Sequence, residues 1–215
     1  MEYPYLDELA NALTHGVGAV LFLVLNPILI AYAVQSKDAR KVLGAAAFSF
    51  GLLAVYFSST IYHAVPDMFS KNVLNYFDYL SIFLLIAGSY TPFLLIYFRG
   101  QKGRVFLFMI WGLTILGINY EMFFREWGHP AISLIIFLAL GWFAIFIIVP
   151  MLRRIKTKVL WLLLAGGLMY SSGTYFFYND EIQYYHAIWH VFVLFGSLTH
   201  WVGVLMAIKD KKRDF

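Results

Sequence analysis

Two histidine spacings in the chain could support metal chemistry. His186 and His190 form an H-x-x-x-H pattern, which places both imidazoles on one face of a helix. Ser59 and His63 form a matching S-x-x-x-H pattern. Two imidazoles at this spacing can bind one cation, and a third histidine with a water molecule would complete a typical catalytic zinc site. Because the chain has no cysteine, thiolate sites and disulfides are excluded.

Asp78 is the carboxylate that we expect near these histidines, in the first turns of the third predicted helix. Zinc lowers the pKa of its bound water to about 7, and a nearby carboxylate could accept a proton from that water or orient it. Ser59 could donate a hydrogen bond to the water or to Asp78. The alternatives are that Asp78 only caps its helix, that Ser59 only packs, and that the histidines are ordinary interfacial residues.

Three further polar residues fall on one face if the N-terminal segment is helical. Glu8, Asn11 and His15 are spaced at i, i+3 and i+7. They either form an outer shell or cap of the metal site, or anchor the segment at the lipid headgroups. His200 lies about 15 Å below His190 at 1.5 Å per residue, which is too deep to join the site. We expect it to be a buried hydrogen-bonding residue.

The composition shows the kind of molecule that must position these residues. Hydrophobic residues make up 61% of the 215 residues and charged residues only 13%, against roughly 45–50% and about 25% in soluble domains. Such a chain cannot cover a water-facing surface, which excludes a soluble enzyme, a disordered protein and a nucleic-acid-binding domain. We expect one membrane domain over residues 1–215, an all-α bundle of seven transmembrane helices.

The spans follow from stretches free of charged residues, because a spanning helix needs about 20 mostly apolar residues. The predicted helices lie near 14–35, 42–63, 74–98, 104–121, 130–150, 158–177 and 184–208. Residues 5–13 are predicted to form a short amphipathic segment on the membrane surface. Pro130 should begin the fifth helix and Pro150 should close it. Small residues in the tract Ala87–Pro92 should allow close helix approach, with Ser and Thr satisfying backbone groups near the proline.

The distribution of positive charge predicts the orientation. Of the 16 Lys and Arg residues, 14 fall on the side of the C-terminus, and only Lys71 and Arg125 fall on the side of the N-terminus. A bias of this size over short loops is a strong positive-inside signal. We therefore expect an integral plasma-membrane protein with its N-terminus outside, its C-terminus in the cytoplasm and the histidine site near the outer face.

Taken in order, these motifs resemble a known family. They span essentially the whole chain and read Glu8-x-x-Asn11-x-x-Thr14-His15, Ser59-x-x-x-His63, Asp78, the Ala87–Pro92 tract and His186-x-x-x-His190. The ordered set is similar to the hemolysin III group of the progestin and adipoQ receptor family. That family includes the adiponectin receptors, and alkaline ceramidases are considered distant relatives.

The resemblance implies a seven-helix, adiponectin receptor-like bundle that binds one zinc ion through His63, His186 and His190. Asp78 matches the aspartate near the zinc-bound water, and Ser59 matches the serine of S-x-x-x-H. The implied activity is hydrolysis of a lipid amide such as ceramide, and the bacterial branch has been linked to membrane-lipid homeostasis. One departure concerns orientation, because adiponectin receptors have a cytoplasmic N-terminus and the charge bias here predicts the reverse.

Three functions follow as hypotheses. The leading one is a zinc-dependent intramembrane hydrolase of a lipid amide or ester, with a membrane lipid as substrate. The second is a non-catalytic sensor or regulator of membrane state, in which structural zinc joins helices. The third is a cytolysin, ranked lowest because a secreted pore-former needs polar surfaces that this sequence lacks. Nothing in the sequence indicates a soluble protein partner or a nucleic acid.

Overall fold

The computed structural model describes residues 3–124 and 131–210, and every regular element in this part of the chain is a helix. The elements are α1 (Tyr3–Gln35), α2 (Ala39–Ala64), α3 (Met68–Tyr97), α4 (Gln101–Phe123), α5 (Ala131–Gly141), a 3₁₀ segment (Trp142–Ile147), α6 (Ile148–Arg154), α7 (Thr157–Tyr178) and α8 (Tyr185–Lys209). The all-α prediction is confirmed.

Seven stretches of the described chain are long and apolar enough to cross a membrane, as predicted. Six of them are single helices, and the fifth combines α5, the 3₁₀ segment and α6 over Ala131–Arg154. Large apolar side chains cover the outside of the bundle: Phe69 is 80% exposed and Phe108 is 75% exposed. Such a surface is stable in lipid and not in water. The protein is an integral multi-pass membrane protein.

The first helix differs from the sequence prediction. Residues 5–13 do not form a separate surface segment, because they are the first turns of the 33-residue helix α1. No Gly or Pro interrupts residues 5–15, so the helix continues without a break. Leu6, Leu9 and Leu13 are exposed on its outer side, whereas Glu8 and Asn11 make contacts inside the bundle. The inward contacts hold these turns upright in the bundle.

The fifth span also differs from the predicted single helix over 130–150. It continues to Arg154, and Pro150 lies in the first turn of α6 instead of closing the span. The 3₁₀ segment precedes this proline, which has no N–H to donate to the preceding turn. The Tyr90 hydroxyl satisfies backbone groups at the break, since it lies 2.6 Å from the carbonyl oxygen of Gly141 and accepts the Ala144 N–H at 2.9 Å. Pro130 lies outside the described residues.

Helices α2 and α3 pack closely, and this packing positions Ser59 and His63 of α2 relative to Asp78 of α3. A Cβ atom on Gly88 would lie 2.8 Å from the backbone oxygen of Ala47, so only glycine permits this approach. Thr91 donates to the Ala87 carbonyl and Ser89 to that of Leu85. The close helix approach predicted for the Ala87–Pro92 tract is therefore present.

Helix α1 packs against both α2 and α8, which brings the end of α2 beside the beginning of α8. At the opposite end of the bundle, the buried Lys41 of α2 donates to the carbonyl oxygens of Ile208 and Asp210 at 2.6 and 2.9 Å. A lysine ammonium is well suited to the last carbonyls of a helix. Helices α2 and α8 are thus joined at both ends, by Lys41 here and by the histidine site at the other.

Candidate metal centre

Three histidines meet where α2 ends and α8 begins. One ring nitrogen from each of His63, His186 and His190 lies within 4.8 Å of the other two. The ring centroids are 4.7 to 5.2 Å apart. His63 and His190 are buried and His186 is half-buried. The structure therefore brings together the three residues that the sequence singled out, from helices more than a hundred residues apart in the chain.

The proton on His63 is placed by a carboxylate from α1. His63 Nδ1 lies 2.9 Å from Oε2 of Glu8. An ionised carboxylate only accepts hydrogen bonds, so Nδ1 carries the proton and Nε2 carries the lone pair. His63 Nε2 is buried and has no hydrogen-bond partner among the described residues. A buried, lone-pair nitrogen of this kind is what a metal ligand requires.

His190 also has acceptors at Nδ1, and His186 has a more distant one. His190 Nδ1 lies 3.0 Å from the Thr14 hydroxyl oxygen and 3.2 Å from the Asn11 carbonyl oxygen. The Asn11 carbonyl only accepts, so Nδ1 of His190 carries the proton. The Thr14 hydroxyl, whose own proton has the carbonyls of Ala10 and Asn11 as acceptors, is also in position to accept from this Nδ1–H. His186 Nδ1 lies 3.5 Å from Oδ2 of Asp180.

Nδ1 of His63 and of His190 thus faces an acceptor on α1, and Nε2 of each ring is the nitrogen left available to a cation. Metal-binding histidines almost always donate their second ring nitrogen in this way, which fixes the tautomer and ring orientation. Three neutral imidazoles form a typical ligand set for catalytic zinc with one position open to water. The residues present therefore fit a zinc ion.

The first turns of α1 organise this site. Glu8, Asn11 and Thr14 contact the histidines directly. Asp7 acts on the chain before α8, because its carboxylate accepts the backbone N–H of Tyr184 at 3.0 Å. Tyr184 directly precedes α8 and has a left-handed backbone with φ of 65°. Non-glycine residues rarely adopt this conformation. Asp7 therefore holds the turn that sets the starting direction of α8 and, two residues later, the position of His186.

His15 lies beside the three histidines and is not one of the clustered set. Its ring stacks on His190 with a centroid distance of 3.5 Å and an interplanar angle of 18°. It is buried, and neither ring nitrogen has a hydrogen-bond partner in the described part of the chain. His15 thus covers one face of the His190 ring.

Asp78 and Ser59 line the wall of a cavity that also contacts His186 and His190. Ser59 is fully buried, and its hydroxyl has no hydrogen-bond partner within residues 3–124 and 131–210. Asp78 is half-buried. Both residues predicted to act on a bound water therefore line the same cavity as His186 and His190, and neither belongs to the cluster of potential ligands.

The cavity has a volume of about 590 Å³ and extends far from the histidines. Its wall includes Asp78, ten residues after the start of α3, and Phe98, directly after the end of that helix. Twenty residues of helix correspond to about 30 Å, close to the hydrocarbon thickness of a bilayer. Most of the lining side chains are apolar or aromatic, from α3, α5, α7 and α8. A cavity of this shape suits an elongated apolar ligand.

Sequence reasoning missed three residues at the site: Asp7, Lys71 and Asp180. Lys71 Nζ lies 2.7 Å from the same Glu8 oxygen that accepts from His63. Its signal was available, because Lys71 is one of only two basic residues on its side of the membrane. Asp180 has no comparable signal, because it lies in the connection between α7 and α8, whose path depends on the left-handed turn at Tyr184.

Comparison with known proteins agrees with the motifs. A family model described as "Haemolysin-III related" matches residues 3–201. The chain is 36% identical to the Hemolysin-3 homolog of Bacillus subtilis (strain 168), over 93% of both chains. It is 38% identical to Hemolysin-3 of Bacillus cereus, over 94% of this chain and 92% of that one. It is also 27% identical to the human Monocyte to macrophage differentiation factor, over 97% of this chain and 87% of the relative. The chain therefore belongs to the haemolysin-III related family of membrane proteins.

Proposed function

We propose that the protein is a zinc-dependent intramembrane hydrolase of a lipid amide, ceramidase-like in its chemistry and active in membrane-lipid homeostasis. The observation that carries the proposal is the cluster of three histidines, two of which, His186 and His190, line a long apolar cavity. Metal ligands at the end of such a cavity suit a substrate with a polar reacting group and an apolar chain. The substrate is thus a membrane lipid that enters from the bilayer.

In this proposal His63, His186 and His190 hold the metal. A zinc ion bound there supplies an activated water at neutral pH. Asp78 accepts the proton from the attacking water, and Ser59 donates a hydrogen bond that orients the water or Asp78. The apolar wall holds the acyl chain and excludes bulk water from the reacting carbonyl.

The residues of α1 act on the histidines and not on the substrate. Glu8 and Asn11 fix the protonated nitrogens of His63 and His190. His15 covers the face of His190 and keeps that side of the site dry. In this proposal α1 supplies the outer shell and the cap of the site.

The first experiment is the zinc content of the purified protein, compared with the double variant His186→Ala/His190→Ala. We expect about one zinc ion per wild-type chain and almost none in the variant, and wild-type content below about 0.2 would refute the metal site.

The second experiment measures turnover of a panel of ceramides by lipid profiling. Asp78→Asn should retain zinc and lose turnover, and unchanged turnover would remove Asp78 from the mechanism. Glu181→Gln, an exposed acid outside the site, is the matched control.

We further propose that the site faces the outside of the plasma membrane, with the N-terminus outside and the C-terminus in the cytoplasm. The support is the charge bias of 14 to 2 among Lys and Arg residues. Because the chain has no cysteine, single-cysteine variants can be labelled without background. Glu181→Cys should react with a membrane-impermeant maleimide in intact cells and Lys102→Cys should not, and the opposite result would reverse the orientation.

A sensor or regulator with structural zinc is the alternative function. The site joins α1, α2 and α8, so metal bound there would stabilise the bundle. This alternative predicts no turnover together with strong thermal destabilisation by a chelator. A cytolysin ranks third, and its support is the hemolysin name of the two Bacillus relatives. Lysis of cells by purified protein at low concentration would raise its rank.

A further inference from the structure

The cavity follows α7 along almost the whole length of that helix. Its wall includes Thr157, the first residue of α7, and Phe177, the last residue but one. Twenty residues of helix separate them, which corresponds to about 30 Å. The Phe177 ring also contacts His186, with the ring centroids 5.8 Å apart. The cavity therefore begins beside a candidate metal ligand and ends at the opposite end of the bundle, so its depth matches the hydrocarbon thickness of both leaflets together.

The volume of the cavity limits the ligand to a single chain. The volume is about 590 Å³, which over a depth of about 30 Å gives a mean cross-section of about 20 Å². A methylene group occupies nearly the volume of a water molecule, about 30 Å³, so there is room for about 20 methylene groups. An extended chain rises about 1.2 Å per bond, from the ~3.3–3.6 Å of an extended residue with three backbone bonds, so about 25 bonds cover the same depth. Length and volume thus agree on one extended chain and leave no room for a second.

The cavity is also open to the bilayer along one side. Several lining residues are exposed on the outside of the bundle, among them Ile145 (64%) and Leu152 (63%) in the fifth span and Trp161 (65%) on α7. A side chain that reaches both the cavity and the outer surface marks an opening between them. A whole acyl chain can therefore enter sideways between the fifth span and α7, and the second chain of a two-chain lipid can stay in the bilayer.

A chain that fills the whole depth has an advantage over a shorter one. Lipid tails are as apolar as the cavity wall, so an acyl chain gains no hydrophobic free energy by leaving the bilayer. Its length matters through the void that it fills, because unfilled volume in an apolar core costs free energy in proportion to its size. Phe93, Leu94 and Phe98 line the half of the cavity away from the histidines. A chain that reaches Phe98 packs against these side chains, and a chain that ends midway does not.

We propose that the cavity selects substrates with one very long acyl chain, of about 20–25 carbons. The inference rests on the proposed function, in that it places the carbonyl end at the histidines. Gly167 is the position at which the depth can be tested, because it lines the cavity midway between Thr157 and Phe177. A Cβ atom added there would have only the Trp142 ring nearby, at 4.0 Å. A larger side chain therefore has room to enter and would block the cavity about 15 Å from either end, which corresponds to about twelve bonds.

Saturated free acids of 12, 16, 22 and 26 carbons test the preference. Each displaces a fluorescent fatty acid from the wild-type protein in phospholipid nanodiscs. Amounts are expressed as mole fractions of the membrane lipid, so that partition from water does not contribute. We expect the 22-carbon acid to bind at least about tenfold more tightly than the 12-carbon acid, because the ten additional methylene groups fill about half of the cavity. The 26-carbon acid should show no further gain, because its end exceeds the depth of the cavity.

Substitutions in the wall assign the preference to the cavity. Gly167→Leu should bring the affinities of the 12- and 22-carbon acids within about twofold of each other, because the far half is closed to the chain. Ala144→Leu enlarges another small lining residue, in the fifth span, and should have the same effect if Gly167→Leu fails to fold. Gly112→Leu is the matched control, since Gly112 is an exposed glycine of α4 with open space around it. This control should keep the wild-type ratio.

The readout is the ratio of two affinities within one variant, so a general loss of stability does not imitate the effect. Equal binding of the 12- and 22-carbon acids to the wild type would overturn the inference. So would the absence of displacement by any acid, or an undiminished preference in the folded wall variants.

The same panel separates this inference from the proposed function. A preference for the 22-carbon acid without turnover of any lipid would support the selection of chain length and refute the hydrolase. Turnover of lipid amides at equal rates with 12- and 22-carbon acyl chains would support the hydrolase and refute the selection of chain length.

Discussion

Replacing Glu8 removes the carboxylate that accepts the Nδ1–H of His63. The side chain is 35% exposed and also bonds Lys71 through the same oxygen. Glu8→Gln keeps an acceptor of the same shape and removes the charge. Glu8→Ala removes the acceptor as well, leaving His63 free to change tautomer and ring orientation. We expect zinc affinity to fall in the order wild type, Glu8→Gln, Glu8→Ala.

The size of the effect follows from the geometry. A hydrogen bond to a charged group contributes about 1.5–3 kcal/mol, and solvent exposure of Glu8 reduces this toward the lower end. Loss of the charge alone in Glu8→Gln should therefore raise the zinc dissociation constant about tenfold. The full loss in Glu8→Ala should approach about a hundredfold, the upper range for groups that orient metal ligands.

The assay is a competition titration in which purified, metal-free protein competes with a chelator of known zinc affinity. Glu181→Gln makes the same charge change at an exposed acid on the same side of the membrane and should leave the dissociation constant unchanged. Thermal unfolding in excess chelator checks that each variant folds without metal. If Glu8→Ala binds zinc within about twofold of wild type, the orienting role of Glu8 is wrong.

Three further substitutions test the fold by thermal unfolding. Gly88→Ala should destabilise the protein by about 1–3 kcal/mol because its Cβ meets the backbone of α2; Gly112→Ala has open space and should not, so equal effects would contradict the packing. Lys41→Met should cost about 1.5–3 kcal/mol through the lost bonds to the end of α8, whereas the exposed Lys102→Met should be neutral. Tyr90→Phe should cost about 1–3 kcal/mol by unpairing backbone groups at the break in the fifth span, and an unchanged midpoint would refute that role.

The spans could be predicted from the sequence because a bilayer requires long apolar stretches, and each such stretch is a continuous segment of the chain. The pairing of His186 with His190 could be predicted for the same reason, since i and i+4 positions share a helix face. The break in the fifth span could not be predicted from the local sequence, because the backbone groups at the break bond to Tyr90, about fifty residues away in the chain. The upright course of residues 5–13 depends in the same way on partners in other helices, among them His63.

The sequence alone determined the membrane environment, the number of spans and the identity of the three histidines, because hydropathy and helical spacing are properties of neighbouring residues. Only the tertiary structure decided what each histidine does with its two nitrogens. The acceptors for Nδ1 come from α1 and from the connection before α8. Their distances to the rings depend on how α1 packs between α2 and α8, which no local pattern encodes. The hydrogen bond expected of His200 likewise needs a partner from another helix, the Leu163 carbonyl of α7 that its Nε2 contacts at 3.1 Å.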